Sequence, residues 1–101
     1  MNPEIQNKEV KLYLGCGNRY LDGYIHIDLD THPHIDYFQD IRKLPMFMDE
    51  SVDLIYSCGA IQYFDRDEVK IVLKEWRRVL KKNGKLRLSV PDFESIVKVY
   101  L

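Results

Sequence analysis

Cysteine is scarce in this chain: its 101 residues hold two, Cys16 and Cys58, 42 positions apart, a spacing that forms no metal motif and reads as two free thiols. The histidines do not supply a metal centre either. Asp30, His32, His34 and Asp36 alternate around Pro33 without any HExxH spacing, which reads as a solvated loop, and His26 reads as a partly buried structural imidazole. No apolar run reaches 18 residues, and the start, MNPEIQNKEV, lacks a basic stretch followed by an apolar one. Neither a membrane span nor a secretion signal is expected, and the cytoplasm is the location that follows. Neither sign of charge dominates, with 15 Lys and Arg against 16 Asp and Glu, so the net charge of -1 makes no electrostatic case for nucleic acid. Repeats, low-complexity tracts and linkers are missing as well.

What remains is 46% hydrophobic and 31% charged, the composition of one small globular domain over residues 1–101. Five strands are expected at about 10 to 15, 24 to 28, 35 to 39, 53 to 58 and 85 to 90. One long helix is expected from Val69, Val72, Leu73, Trp76, Val79 and Leu80, which recur at i, i+3, i+4 and i+7 and leave Lys70, Lys74, Arg77, Lys81 and Lys82 to solvent. Asp65 with Glu68 forms a capping box at its start, and Asn83-Gly84 reads as its stop. Phe93 to Leu101 reads as the beginning of a second helix.

The run from Lys11 to Asp28, KLYLGCGNRYLDGYIHID, carries the chemistry. An apolar strand ends in Gly15 and Gly17, which let the backbone turn tightly and admit a ligand to its amides. Asp28, closing the next strand, can accept hydrogen bonds from both hydroxyls of a ribose. A dinucleotide fingerprint would need glycine where Tyr20 stands and an acid about 20 residues on; Asp28 follows Gly17 by only 11. Too little chain is left for a crossover helix, and the loop Asn18 to Gly23 has to cover the ligand with little more than a turn.

With these residues the chain resembles the class I S-adenosylmethionine-dependent methyltransferases, in the branch where LGCG runs through a short loop into a G-[YW]-I-x-[IV]-D strand. IDYFQDIRKLPMFMDESVDLIYSCGAIQYF, Ile35 to Phe64, is similar to that family's acidic residue, LP turn and fourth strand, and EWRRVLKKNGKLRLSVPD, Glu75 to Asp92, to its next helix, glycine turn and strand. The resemblance implies an α/β, Rossmann-like, mostly parallel five-stranded sheet of order 3-2-1-4-5. It also implies S-adenosylmethionine as cofactor: Gly15, Cys16 and Gly17 facing its methionine part, Asp28 the ribose, Asp40 and the Ile41 amide the adenine, and Cys58 the sulfonium side. Cys16 and Cys58 would then end neighbouring strands, where oxidation in vitro could cross-link them. Two positions depart from the family pattern. Tyr13 stands where many members carry an acid or amide, and Gln62-Tyr63 replaces the usual Glu-His.

The implied activity is transfer of the sulfonium methyl to an acceptor, a small molecule by expectation, with the catalytic residues unknown. Tyr63 and Asp92 are the substrate-side candidates, although a packing aromatic and a helix cap are their plainer readings. The competing reading is a non-catalytic cofactor-binding or regulatory module that acts with a partner. The family's usual sheet continues through two more strands, so the chain reads as a short, C-terminally truncated member. Right-handed crossovers put the only long helix on one face. Tyr13, Tyr24 and Ile55 are thereby expected on a bare face, and a homodimer through that face or an exposed fifth strand is the further expectation.

Overall fold

The computed structural model describes residues 9–58, 60, 64–90 and 93–98. Strands β1 (Lys11–Leu14), β2 (Ile25–Asp28), β3 (Tyr37–Phe38), β4 (Val52–Cys58) and β5 (Leu80–Val90) form a parallel sheet of order β3-β2-β1-β4-β5. This is the expected topology. A sixth strand, β6 (Phe93–Lys98), pairs antiparallel with β5, where the sequence suggested a second helix. Hairpin pairing satisfies the backbone groups of β5 that a terminal helix would have left open, so β5 is not the exposed edge that the sequence reading assumed.

The single described helix, α1 (Arg66–Val79), starts as its sequence requires. Asp65 accepts from the Glu68 amide at 2.8 Å, and the Glu68 carboxylate accepts from the Asp65 amide at 3.2 Å. It ends earlier than Asn83-Gly84 suggests. Leu80 is already extended, and its amide closes the last turn on the Trp76 carbonyl. Val52 faces Leu80 while Leu54 faces Lys85, so the intervening residues bulge away from β4. Gly84 serves this bulge rather than a helix cap, because a Cβ there would meet the Lys81 carbonyl oxygen at 2.9 Å.

Side chains divide cleanly between the faces of the sheet. Leu12, Leu14, Ile27, Ile55 and Leu86 pack with Val72, Trp76 and Val79 of α1 in the main core. Ile55 therefore lies under the helix, not on the bare face assigned to it from sequence. The other face carries an aromatic group: Tyr13 meets Tyr56 edge-on at 5.0 Å and Tyr24 at 6.3 Å. No described helix covers it, yet Tyr13 is only 1% exposed. Loops do the covering, with Tyr20 stacked on His26 at 5.0 Å between ring centroids. His26 is buried as expected, its Nε2 accepting from the Leu21 amide and its own amide donating to Asp36.

The segment between β3 and β4 has no regular structure of its own and is tied down by α1. Trp76 Nε1 donates to the Ile41 carbonyl at 2.8 Å, and the Leu44 amide donates to Glu75 at 2.7 Å. Arg78 donates to the carbonyls of Leu44 and Phe47 and to the carboxylates of Glu75 and Asp49. Hydrogen bonds from Arg78 and the Leu44 amide hold the Glu75 carboxyl below its usual range. Because the folded value lies below the unfolded one of about 4.3, the stability it contributes is present above that pH and is lost as pH falls through the folded value. Urea midpoints measured from pH 7 down to pH 3 should therefore fall, and Glu75→Gln should be less stable at pH 7 with a shallower decline.

Candidate functional site

Gly15 closes β1 by donating its amide to the Ile27 carbonyl at 2.9 Å, which locks the end of β1 to β2. Its φ is +69°, and a Cβ would stand 2.7 Å from that of Ala60, so both conformation and close approach demand glycine. Gly17, at φ +58°, differs: no atom lies within 4 Å of where its Cβ would be. The open space beside it belongs to a cavity of about 500 Å³, within the roughly 300–1,000 Å³ range of small-molecule sites.

Asp28 anchors the cavity floor. One carboxylate oxygen accepts the Gly17 amide at 2.7 Å and the other accepts the Asp30 amide at 2.8 Å. Each oxygen has two lone pairs, so each retains one for a ligand hydroxyl. The Gly17 carbonyl is bonded to His34 Nε2 at 3.0 Å, which gives that histidine a structural task in place of metal ligation. No cluster of potential metal ligands occurs among the described residues.

Asp40 and Ile41 line the same cavity from the loop that α1 holds. The Ile41 amide has no acceptor among the described residues, while its carbonyl is taken by Trp76. Asp40 is fully engaged: the Arg42 amide, Nε and terminal nitrogen donate to its two oxygens at 2.6 to 3.1 Å, and they hold its carboxyl below the usual range. Arg42 also reaches Glu68 at 3.0 Å, linking this loop to the start of α1. Sequence reasoning missed Arg42; its place two residues after Asp40, within reach of an Asx-type turn, was the available signal.

Cys16 lines the cavity between the glycines and is 4% exposed. Burial, reinforced by the Asp28 charge, pushes its thiol up to about 11, so it is protonated and inert at neutral pH. Cys58 is half-buried at the end of β4 and does not line this cavity. Its partner is Arg19, whose guanidinium donates to Sγ at 3.5 Å. Six expected positions, Gly15, Cys16, Gly17, Asp28, Asp40 and Ile41, thus converge on one cavity, Cys58 is not among its lining residues, and Tyr63 and Asp92 lie outside the described residues.

The family model described as "Methyltransferase domain" matches residues 12–88, about three quarters of the chain. The chain belongs to this methyltransferase family. Membership implies S-adenosylmethionine as cofactor, and the cavity has room and donors to suit it, with free lone pairs on Asp28, open space at Gly17 and an Ile41 amide without an acceptor among the described residues.

Three solved structures share the fold of this methyltransferase domain. The PH0226 protein from Pyrococcus horikoshii OT3 is 23% identical with a TM-score of 0.66, over 85% of this chain and 50% of that one. A candidate S-adenosyl-L-methionine-dependent methyltransferase from Methanococcus maripaludis is 19% identical with a TM-score of 0.60, over 85% and 51%. A candidate type II methyltransferase from Anaeromyxobacter dehalogenans is 22% identical with a TM-score of 0.59, over 82% and 41%. At these identities the likeness is one of fold, and the chain spans about half the length of the structures it matches or less. No curated protein matches the sequence.

The two glycines of the methyltransferase turn should respond differently to substitution. Gly17→Ala adds only left-handed strain of about 1–2 kcal/mol, whereas Gly15→Ala adds the collision with Ala60 to the same strain. Urea denaturation should find Gly15→Ala the more destabilised, and equal losses would show that Ala60 yields freely.

Proposed function

We propose that this chain is a single S-adenosylmethionine-binding domain, residues 1–101, serving methyl transfer to a small-molecule acceptor. The observation that carries the reading is Asp28, fixed by two amides at the end of β2 with one lone pair free on each oxygen. Ribose hydroxyls suit that pair, and the unengaged Ile41 amide suits a ring nitrogen of adenine. The adenine amine would have to displace Arg42 donors from Asp40, since both oxygens are saturated. Acidic groups outnumber basic ones around the cavity, Asp28, Asp30, Asp40 and Glu68 against Arg42, a field that favours a cationic sulfonium.

Bound S-adenosylmethionine supplies the electrophilic methyl group and the leaving thioether. The chain supplies orientation, which can lower the barrier by several kcal/mol without any catalytic side chain. Gly15, Cys16 and Gly17 flank the methionine part in this reading, and Tyr63 and Asp92 stay the substrate-side candidates. Two free thiols are consistent with a reducing, cytoplasmic setting. No described helix is long and apolar enough to cross a membrane.

Calorimetric titration with S-adenosylhomocysteine tests the reading. Saturable binding is expected, weakened about tenfold or more in Asp28→Asn, the order of one charge-assisted hydrogen bond. Unchanged affinity in that variant would remove Asp28 from the site, and no binding by folded protein would overturn the reading. Binding without methyl transfer to any acceptor would leave the regulatory module.

A homodimer is a second element of the proposal, favoured by the open edge at β3. Tyr37 and Phe38 are 42% and 58% exposed there, beside Leu29 at 65%. Light scattering across a dilution series should give twice the chain mass; a constant 12.1 kDa down to low micromolar concentration would defeat it.

A further inference from the structure

The order β3-β2-β1-β4-β5 reverses direction between β1 and β4. Open α/β sheets bind ligands in the crevice outside the carboxyl ends of the strands at such a point. In this chain one side chain spans it. Arg19, on the turn after β1, reaches across to Cys58 Sγ at the end of β4, 3.5 Å away. The Tyr13 hydroxyl is within hydrogen-bonding reach of the guanidinium, and Tyr56, facing Tyr13 from the adjacent strand with its ring 5.0 Å away, is a further neighbour.

The chemistry of this group is unusual for a surface arginine. Arg42 and Arg78 each hold two carboxylates. Arg19 is exposed and pairs with no carboxylate among the described residues. Its neighbours are a thiol and two phenols, neutral groups that position a guanidinium without cancelling its charge. A planar, permanently charged fork of N–H donors held this way matches a carboxylate in two-point geometry.

We propose that Arg19, with Cys58 and the two tyrosine hydroxyls as its seat, is an anion subsite that takes a carboxylate at the reactive end of the crevice. This deepens the cofactor reading and rests on it only for the identity of the ligand. The carboxylate has two sources, the amino-acid end of the cofactor or an acidic acceptor.

Cys58 gives the subsite its own reporter. Iodoacetate carries a carboxylate and iodoacetamide a neutral amide, and both alkylate a thiolate: sulfur forms a bond to the methylene carbon as the carbon–iodine bond breaks and iodide departs. Cys16 is buried and protonated, so Cys58 is the thiol that reacts, and peptide mass mapping confirms the position. The ratio of iodoacetate to iodoacetamide rates at Cys58 should be about tenfold higher in the native chain than in Arg19→Gln, the order of one charge-assisted hydrogen bond. Arg19→Lys should retain part of the preference. Equal ratios in native and Arg19→Gln protein of unchanged thermal stability would overturn the subsite, whatever S-adenosylhomocysteine does in the neighbouring cavity. Loss of cofactor binding with the ratio preserved would instead strike the cofactor reading alone.

Two nucleosides separate the sources. S-adenosylhomocysteine carries the amino-acid carboxylate, and 5′-methylthioadenosine has the same nucleoside and thioether without it. Suppression of the iodoacetate preference by the first and not by the second assigns Arg19 to the cofactor's amino-acid end. Preference that survives both assigns it to the acceptor.

Discussion

The fold and the cofactor loop meet in one buried contact, the hydrogen bond from Trp76 Nε1 to the Ile41 carbonyl. In most sheets of this kind each crossover carries a helix that stiffens the loop at its end. Here the steps from β1 to β2 and from β2 to β3 are bare loops, so α1, inserted between β4 and β5, has to serve the whole edge. It does so with three consecutive tasks along one stripe: Glu75 takes the Leu44 amide, Trp76 takes the Ile41 carbonyl, and Arg78 takes the carbonyls of Leu44 and Phe47. Asp40 and Ile41 are thereby held against the cavity by a helix that does not line it except through Glu68.

The opposite face solves the same shortage differently. Aromatic rings replace a helical layer, since a ring buries a large area per residue and needs few ordered dihedrals. Tyr13, Tyr24 and Tyr56 pack edge to face, and Tyr20 folds from the loop onto His26. The loop is consequently fixed by the same rings that close the core, which is why Arg19, one residue before Tyr20, has a defined seat. Functional geometry and core packing share residues here, so changes in the tyrosines would disturb both.

Much of this was legible in the sequence for a definite reason. Period-2 apolar runs, glycines at Gly15 and Gly17 and the acid at Asp28 are local signals, and they marked the strands, the turn and the capping box at Asp65 and Glu68, while the strand order came from the resemblance to the methyltransferases. Failures came where tertiary pairing outweighed them. Leu80 continues the helical periodicity of α1 but is extended, because the parallel ladder to Val52 claims it, and Asn83-Gly84 then serves a bulge. Phe93 to Lys98 looked helical until β5 offered a free edge to pair with. Ile55 was placed on the wrong face because a pattern of alternation gives two faces without saying which one receives the helix. Arg42 had a local signal in its place two residues after Asp40, whereas Arg19 had none, since its neighbour Cys58 lies 39 residues away and meets it only when the chain is folded.

The two arginines divide the site electrostatically. Arg42 spends its donors on Asp40 and Glu68, leaving both Asp40 oxygens engaged on the side of the cavity proposed for adenine. Asp28 keeps half of its acceptor capacity, so the side proposed for the ribose is open to a ligand hydroxyl. A ligand entering this cavity can meet Asp28 without displacing anything, whereas contact with Asp40 requires an ion pair to open first. Ion pairs this exposed contribute little, at most about 1 kcal/mol, so the exchange is cheap relative to the hydrogen bonds it permits. Recognition is therefore expected to be strict at the ribose and forgiving at the adenine amine, an order of selectivity set by which carboxylate the chain has already occupied with its own arginine.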